Sequence, residues 1–197
     1  AVAVPIIHTT SAATFINQSL VSQYGWEFNI TKANKILDDA GIMKGGDGIR
    51  VLPDGTRLSF TIQVPSGWTD WMAICDLIST SLGKIGIDLK EEFPDYMGVW
   101  WPRLINKEID MCLGWSGESP GFDHPWNSFR TMMDARLSFP SGNWENYNNT
   151  VPEALIDSIP TETDVNKLKS TYSKLEEIWL KDVVAVPLFY GAIWYQY

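Results

Sequence analysis

At 197 residues and 45% hydrophobic content, the chain suffices for one large domain or two small ones and is too apolar to be disordered. Its net charge of −9 repels phosphate backbones and anionic lipid, which argues against nucleic acid as a partner and against a peripheral membrane role. No transmembrane run or signal peptide is visible, and ten tryptophans point to aromatic platforms, because an indole is costly to expose unless something stacks on it.

Residues 1–30 show no clear period and read as an irregular arm, with one short helix near Ala12–Tyr24. The abrupt start reads as a cut from something larger. From Thr31 to Ala40, Ala33, Ile36, Leu37 and Ala40 follow helical spacing, with Thr31 or Asn29 as the cap and Gly41 as the stop. Two strands, Ile49–Val51 and Leu58–Val64, flank Pro53-Asp54-Gly55 and predict a hairpin. A loop, Pro65–Thr69, with Trp68 at its tip leads into a helix over Asp70–Lys84, capped by Thr69. Its buried stripe is Trp71, Ile74, Leu77, Ile78, Leu82 and Ile85. Gly86 stops it and Ile87–Phe93 returns as a strand, so strand, helix and strand form a parallel crossover.

Asp95–Lys107 reads as a helix that kinks or restarts at Pro102. The strand Ile109–Leu113 follows, and with it a second crossover. Residues 128–150 read as irregular. Val151–Ile159 and Thr163–Lys181 read as helices, the latter with Val165, Leu168, Tyr172, Leu175 and Ile178 on one face and Thr161 with Asp164 as a capping box. Val184–Tyr190 and Ile193–Tyr197 close the chain as strand-like, aromatic runs. No repeat, low-complexity tract or dividing linker is visible, so residues 1–197 are expected to form a single lobe.

The strand at Ile109 opens into the stretch on which the functional reading turns. Residues 109–127 read IDMCLGWSGESPGFDHPWN, a strand followed by a glycine- and proline-rich loop carrying Trp115, Ser116, Gly117, Glu118, Asp123 and Trp126. Such a loop cannot be core, because its backbone polar groups need water or a ligand. Indoles and carboxylates on a rigid edge suit a binding site. Trp68, Trp144 and Tyr147 also fall in loops, the last two flanked by Asn143, Asn146, Asn148 and Asn149. Indoles stack on sugar C–H faces, and amides and carboxylates bond their hydroxyls.

Other chemistries leave weaker traces. Asp110, Glu118 and Asp123 could serve as paired glycosidase carboxylates, but spacing along a loop fixes no distance. His8 and His124 lie far apart, with no metal-ligand spacing and no nucleophile elbow, so neither metal nor cofactor is expected. DAGIMKGGDGIR matches no phosphate-binding fingerprint. Cys75, mid-helix, and Cys112, mid-strand, read as two buried thiols. Sequons stand at Asn17, Asn29 and Asn148. A structural or adhesive module, with all loop tryptophans buried, is a third class.

The order of KANKILDDAGI at 32–42, DGIRVLPDGTRLSFTIQV at 47–64, ICDLISTSLGKIGIDLK at 74–90, EIDMCLGWSGESP at 108–120 and LEEIWLKDVVAVPLFY at 175–190 resembles the second lobe of extracellular solute-binding proteins of family 5. The resemblance spans Trp26 to Tyr197. It implies one α/β lobe of a two-lobed, periplasmic-binding-protein-like receptor, with a mixed sheet from strands near 58–64, 87–93, 109–113 and 184–190 and helices on both faces. It also implies capture of an oligopeptide or oligosaccharide outside the membrane, delivery to an ABC permease without chemistry, tethering to the membrane, and a first lobe that this chain lacks. In peptide-binding members a Trp-x-Ala-Asp pattern holds the peptide amine. Here Trp115-Ser116-Gly117-Glu118 stands in those places, and Ser119 and Pro120 replace the usual Tyr and Asp-Pro. The tryptophan excess looks more like the oligosaccharide-binding branch.

Overall fold

A computed structural model describes residues 14–114 and 125–188. The described residues fall into two units, Phe28–Gly114 and residues 14–27 with 125–188.

The first of these is built on three strands, β3 Ser59–Gln63, β4 Asp88–Glu92 and β5 Met111–Cys112, which form one sheet in the order β4-β3-β5. Both pairings are parallel, Ser59 opposite Asp88 and Ile62 opposite Met111. Helix α3, Thr69–Lys84, is the crossover between β3 and β4. Alternate β residues turn to it: Ile62, Val64, Leu89 and Leu113 form one cluster with Cys75, Trp71, Ile74, Ile78 and Leu82. Cys75 holds the centre of that stripe, whereas Leu77 is 66% exposed. Burial pushes the Cys75 thiol up to about 11, so it packs as a small apolar group. Cys112 is half-buried rather than buried. Gly86 ends α3 at a φ of 82°, where a Cβ would meet the Gly48 carbonyl at 2.9 Å.

The hairpin closes at its turn but goes no further. Leu58 N donates to the Arg50 carbonyl at 2.9 Å, and Val51 bridges Arg57. Beyond it the chain leaves for the parallel sheet, and β2, Arg50–Val51, pairs antiparallel with a strand that periodicity missed, β1 Met43–Lys44. Helix α2, Ile30–Asp39, is capped by Asn29, whose side chain accepts from Lys32 N. Its apolar stripe is only partly covered, since Ile36 is 58% exposed. What fastens it is the buried Arg50, which donates to Asp38 and Asn34.

The expected break before Pro102 takes the form of a π-helical turn, Tyr96–Trp100, running into α4, Trp101–Ile105, with Pro102 in its first turn, where a missing N–H costs nothing. α4 reaches Gln63, whose side chain has the parity opposite to that of Ile62 and Val64.

In the other unit, Asn17 caps α1, Gln18–Tyr24, so the helix in the arm is shorter than expected. α1 packs on α7, Val165–Asp182, through Leu20 and Tyr24. Asp164 alone caps α7, accepting from Asn166 N and Lys167 N, while Thr161 ends a 3-10 turn after α6, Val151–Ser158. Tyr172, Leu175, Trp179 and Leu180 form the buried face; Val165, expected within it, is 53% exposed. Residues 126–133, read as loop and irregular chain, form α5, Trp126–Met133, which buries Phe129, Met132 and Met133.

The fold is α/β as expected; among the described residues the three-stranded sheet is parallel, and β1 and β2 form a separate antiparallel pair. Residues 184–188 lie in no strand: Val184 and Ala185 pack on the helices, and Pro187 has no N–H for a ladder. The remainder of the two closing strands, 189–197, lies outside the described residues.

Two glutamates in this unit, Glu176 buried and Glu145 half-buried, set a pH dependence. Burial pushes Glu176, whose Oε2 accepts from Asn17 N at 2.9 Å, up to about 7, and burial does the same to Glu145. Between the ordinary 4.5 and 7 the folded chain keeps protons that the unfolded chain has released. Their stabilising contribution is therefore complete below 4.5 and is lost as pH rises through 7. Asp134, held low by the Arg136 guanidinium, acts in the opposite sense and is lost in acid. Glu176→Gln is expected to melt like the wild type near pH 4.5 and to gain about 3 kcal/mol by pH 8, because each tenfold difference in proton affinity between the folded and unfolded chain is worth roughly 1.4 kcal/mol. Thermal melts across that range check it; a gain independent of pH would contradict it.

Candidate functional site

Because β3, β4 and β5 run parallel, their carboxyl ends share one edge, where open α/β sheets bind ligands. Each strand leads into a segment at that edge. β3 leads through Val64 and Pro65 to Trp68, the residue preceding α3. β4 leads through Phe93 and Pro94 to Tyr96, which opens the π-helical turn. β5 leads through Leu113 to Gly114, after which residues 115–124 lie outside the described ones.

The rings form one cluster. The Trp68 centroid lies 4.9 Å from Trp71 at 89°, 5.4 Å from Tyr96 at 36°, and 6.0 Å from Trp100 at 56°. Tyr96 also meets Trp100 and Trp101 at 5.7 Å each. Trp100 is fully buried and its indole N–H donates to the Gln63 carbonyl at 3.3 Å. Trp68 and Tyr96 are half-buried, so a ligand could meet the edge of the cluster. Asp95 Oδ1 accepts from Gly98 N at 2.6 Å and fixes the turn; a Cβ on Gly98 would lie 2.9 Å from that oxygen.

Residues 65–70, Pro-Ser-Gly-Trp-Thr-Asp, contain no cation. Arg103 on α4 donates from one nitrogen to Gln63 Oε1 and to Glu92 Oε2, both at 3.2 Å. Gln63 Nε2 donates to the same Glu92 oxygen at 3.0 Å, and Lys90 approaches its other oxygen at 3.3 Å.

The expected site residues fall partly in each unit and partly outside the described residues. Trp115, Ser116, Gly117, Glu118 and Asp123 lie outside the described residues. Trp68 stands at the sheet edge. Trp126 begins α5; its indole N–H donates to the Ile156 carbonyl at 3.1 Å and its ring packs on the helical core under Arg130. Trp144 meets Phe139 edge-on at 4.8 Å. The Tyr147 hydroxyl donates to Asp182 at 2.6 Å, and burial followed by that carboxylate holds its phenol protonated above the ordinary range. Asn143, expected to face ligand, is buried and pins the Tyr147 backbone through two of its three hydrogen bonds, the third going to the Leu137 carbonyl. Asp110 accepts from Thr61 N and Oγ1 at 2.9 and 3.0 Å and so serves the sheet. Tyr96 was not anticipated. Its signal was the run Tyr96, Trp100, Trp101 directly after a strand.

A 26% identical relative over 159 residues is Protein XP55 of Streptomyces lividans, with 78% of this chain and 27% of that one aligned. The oligopeptide-binding protein AppA of Bacillus subtilis is 25% identical over 173 residues, 84% of this chain and 30% of AppA. A periplasmic oligopeptide-binding protein of Thermotoga maritima, solved with bound mannohexaose, superposes with a TM-score of 0.88 at 30% identity, covering 98% of this chain and 37% of that one. The chain thus spans about a third of the length of such proteins. Residues 5–136 match the family model for the middle part of bacterial extracellular solute-binding proteins, family 5. The chain belongs to the bacterial extracellular solute-binding proteins of family 5.

Proposed function

We propose that residues 1–197 form one ligand-binding lobe of the substrate-binding component of an ABC importer, which captures an oligosaccharide or oligopeptide outside the membrane. The receptor delivers its ligand unchanged to a permease, is tethered to the membrane, and closes with a further lobe supplied outside these residues. The observation that carries this reading is the aromatic edge at the carboxyl ends of three parallel strands, one of which leads into Trp115-Ser116-Gly117-Glu118. Trp68 and those four residues make up the proposed ligand-facing set. Trp126, Trp144 and Tyr147 stay candidates for stacking by their ring faces only, since Trp126 and Tyr147 use their polar atoms within their own unit and Trp144 packs on Phe139.

The two ligand classes make different demands. A peptide brings charged ends that need an acid and a cation; the sequence after β5 offers Glu118 as the acid, while Arg103 is already engaged. A sugar needs ring faces and neutral acceptors, which Trp68 and Tyr96 can supply. The Thermotoga relative holds a mannohexaose, and AppA is named for oligopeptides.

The reading predicts that this chain alone folds but binds poorly. Losing the facing wall removes about half of the contacts and most of the burial that strengthens them. Calorimetry with mannohexaose and a nonapeptide, on this chain and on the whole receptor, checks it. Equal affinities would show that the complete site lies within these residues.

A further inference from the structure

The Trp68–Tyr96 pair is assembled from two strand exits, which backbone bonds join directly, Val64 N to the Glu92 carbonyl at 3.3 Å and Ser66 N to the Pro94 carbonyl at 2.9 Å, so what is left to set is the angle of the rings that follow. Trp68 follows β3 and Tyr96 follows β4, so no local helix or turn sets the angle between their rings. The side chains that join these exits are Gln63, the last residue of β3, Glu92, the last of β4, and Arg103, from the helix that continues the Tyr96 turn. Gln63 is gripped twice, through its side chain by Arg103 and Glu92 and through its carbonyl by Trp100. Trp100 in turn meets both Trp68 and Tyr96.

We propose that Arg103 is a positioning residue for the ligand-facing aromatic wall: with Glu92 and Gln63 it locks α4 and the π-helical turn onto the ends of β3 and β4 and thereby sets the Trp68–Tyr96 ring geometry. The proposal rests on the reading of this edge as the ligand wall. The Arg103 and Glu92 side chains are 37% and 28% exposed, and an ion pair in that setting contributes little to stability. Its geometric value is larger. One guanidinium nitrogen serves both acceptors, so the link spans three elements through a single point of attachment. π-Helical turns recur at functional sites, and this one carries Tyr96.

The test is fluorine NMR of the chain labelled with 5-fluorotryptophan, the Trp68 signal being assigned by its loss in Trp68→Phe. Arg103→Gln and Glu92→Gln are each expected to shift or split the Trp68 and Trp100 signals while the melting temperature stays near that of the wild type. Arg103→Lys, which keeps one cationic nitrogen, is expected to restore them. A role in stability alone would lower the melting temperature and leave the signals of the folded chain in place. An unchanged Trp68 signal in both Gln variants overturns the proposal, whatever the receptor binds. Mannohexaose titrations of the whole receptor separate the two claims: displaced signals with Trp68→Ala still binding normally would count against the ligand wall and leave the lock standing. If mannohexaose binds, Arg103→Gln is expected to weaken it roughly tenfold, and Arg103→Lys to recover most of that loss.

Discussion

Arg50→Leu is expected to remove about 3–5 kcal/mol from the stability of the unit 28–114, a large part of what a domain of this size possesses. Arg50 is 1% exposed, and its guanidinium has five bonds. Nε donates to the Ile85 carbonyl at 2.7 Å. Nη1 donates to Asp38 at 2.7 Å and to the Ile42 carbonyl at 2.5 Å. Nη2 donates to the Asn34 carbonyl at 3.3 Å and to its side-chain oxygen at 2.8 Å. The Ile85 carbonyl lies at the end of α3, and a cation there also meets the negative end of the helix dipole. A leucine fills similar volume but leaves these acceptors without a donor, at about 1–3 kcal/mol for each that water cannot reach. α2 buries none of its residues fully, so the arginine is its chief tie to the sheet. Arg50→Lys should recover little, since one ammonium cannot span a fork of acceptors. Urea denaturation followed by circular dichroism reads the change; a loss below about 1 kcal/mol would mean that packing, not this network, holds α2.

The network also marks where sequence reading stops. The alternation Leu58, Phe60, Ile62, Val64 and the glycine at position 86 gave β3, α3 and β4 with their parallel order, because local periodicity and one positive-φ position determine them. Nothing in the spacing says that Arg50 points inward, since its partners come from residues 34, 38, 42 and 85. α5 was missed although Phe129, Met132 and Met133 follow helical spacing; the preceding proline- and glycine-rich stretch masked its start. The run at 184–188 has strand composition, yet tertiary packing on the helices and Pro187 override it. Trp68 could be placed at a strand exit from order alone, but its pairing with Tyr96 joins two separate strand exits, which no local pattern encodes.

The second large effect concerns the segment after β5. Trp115→Ala is expected to weaken binding more than Glu118→Ala if the ligand is a sugar, and less if it is a peptide. A stacked indole contributes roughly 1–3 kcal/mol through area and contact. Removing a carboxylate from a buried ammonium costs about 3–5 kcal/mol, because the partner charge is left unpaired. Against a neutral sugar the same carboxylate only accepts hydrogen bonds, on the order of 1.5–3 kcal/mol. The sugar ranking is therefore close and the peptide ranking plain. Both variants would be titrated in the whole receptor after circular dichroism shows that they fold. Unchanged affinity in both would remove residues 115–118 from the site.

The central claim is that this edge belongs to a receptor that binds and releases its ligand intact. Thermal-shift titration of the whole receptor, with oligosaccharides and peptides side by side and the ligand recovered afterwards, tests it most directly. The expected result is a melting temperature that climbs with ligand concentration, about 2.7 kcal/mol of stabilisation at a hundredfold excess over Kd, and ligand recovered unchanged. Cleaved ligand, or no stabilisation by either class, would contradict it.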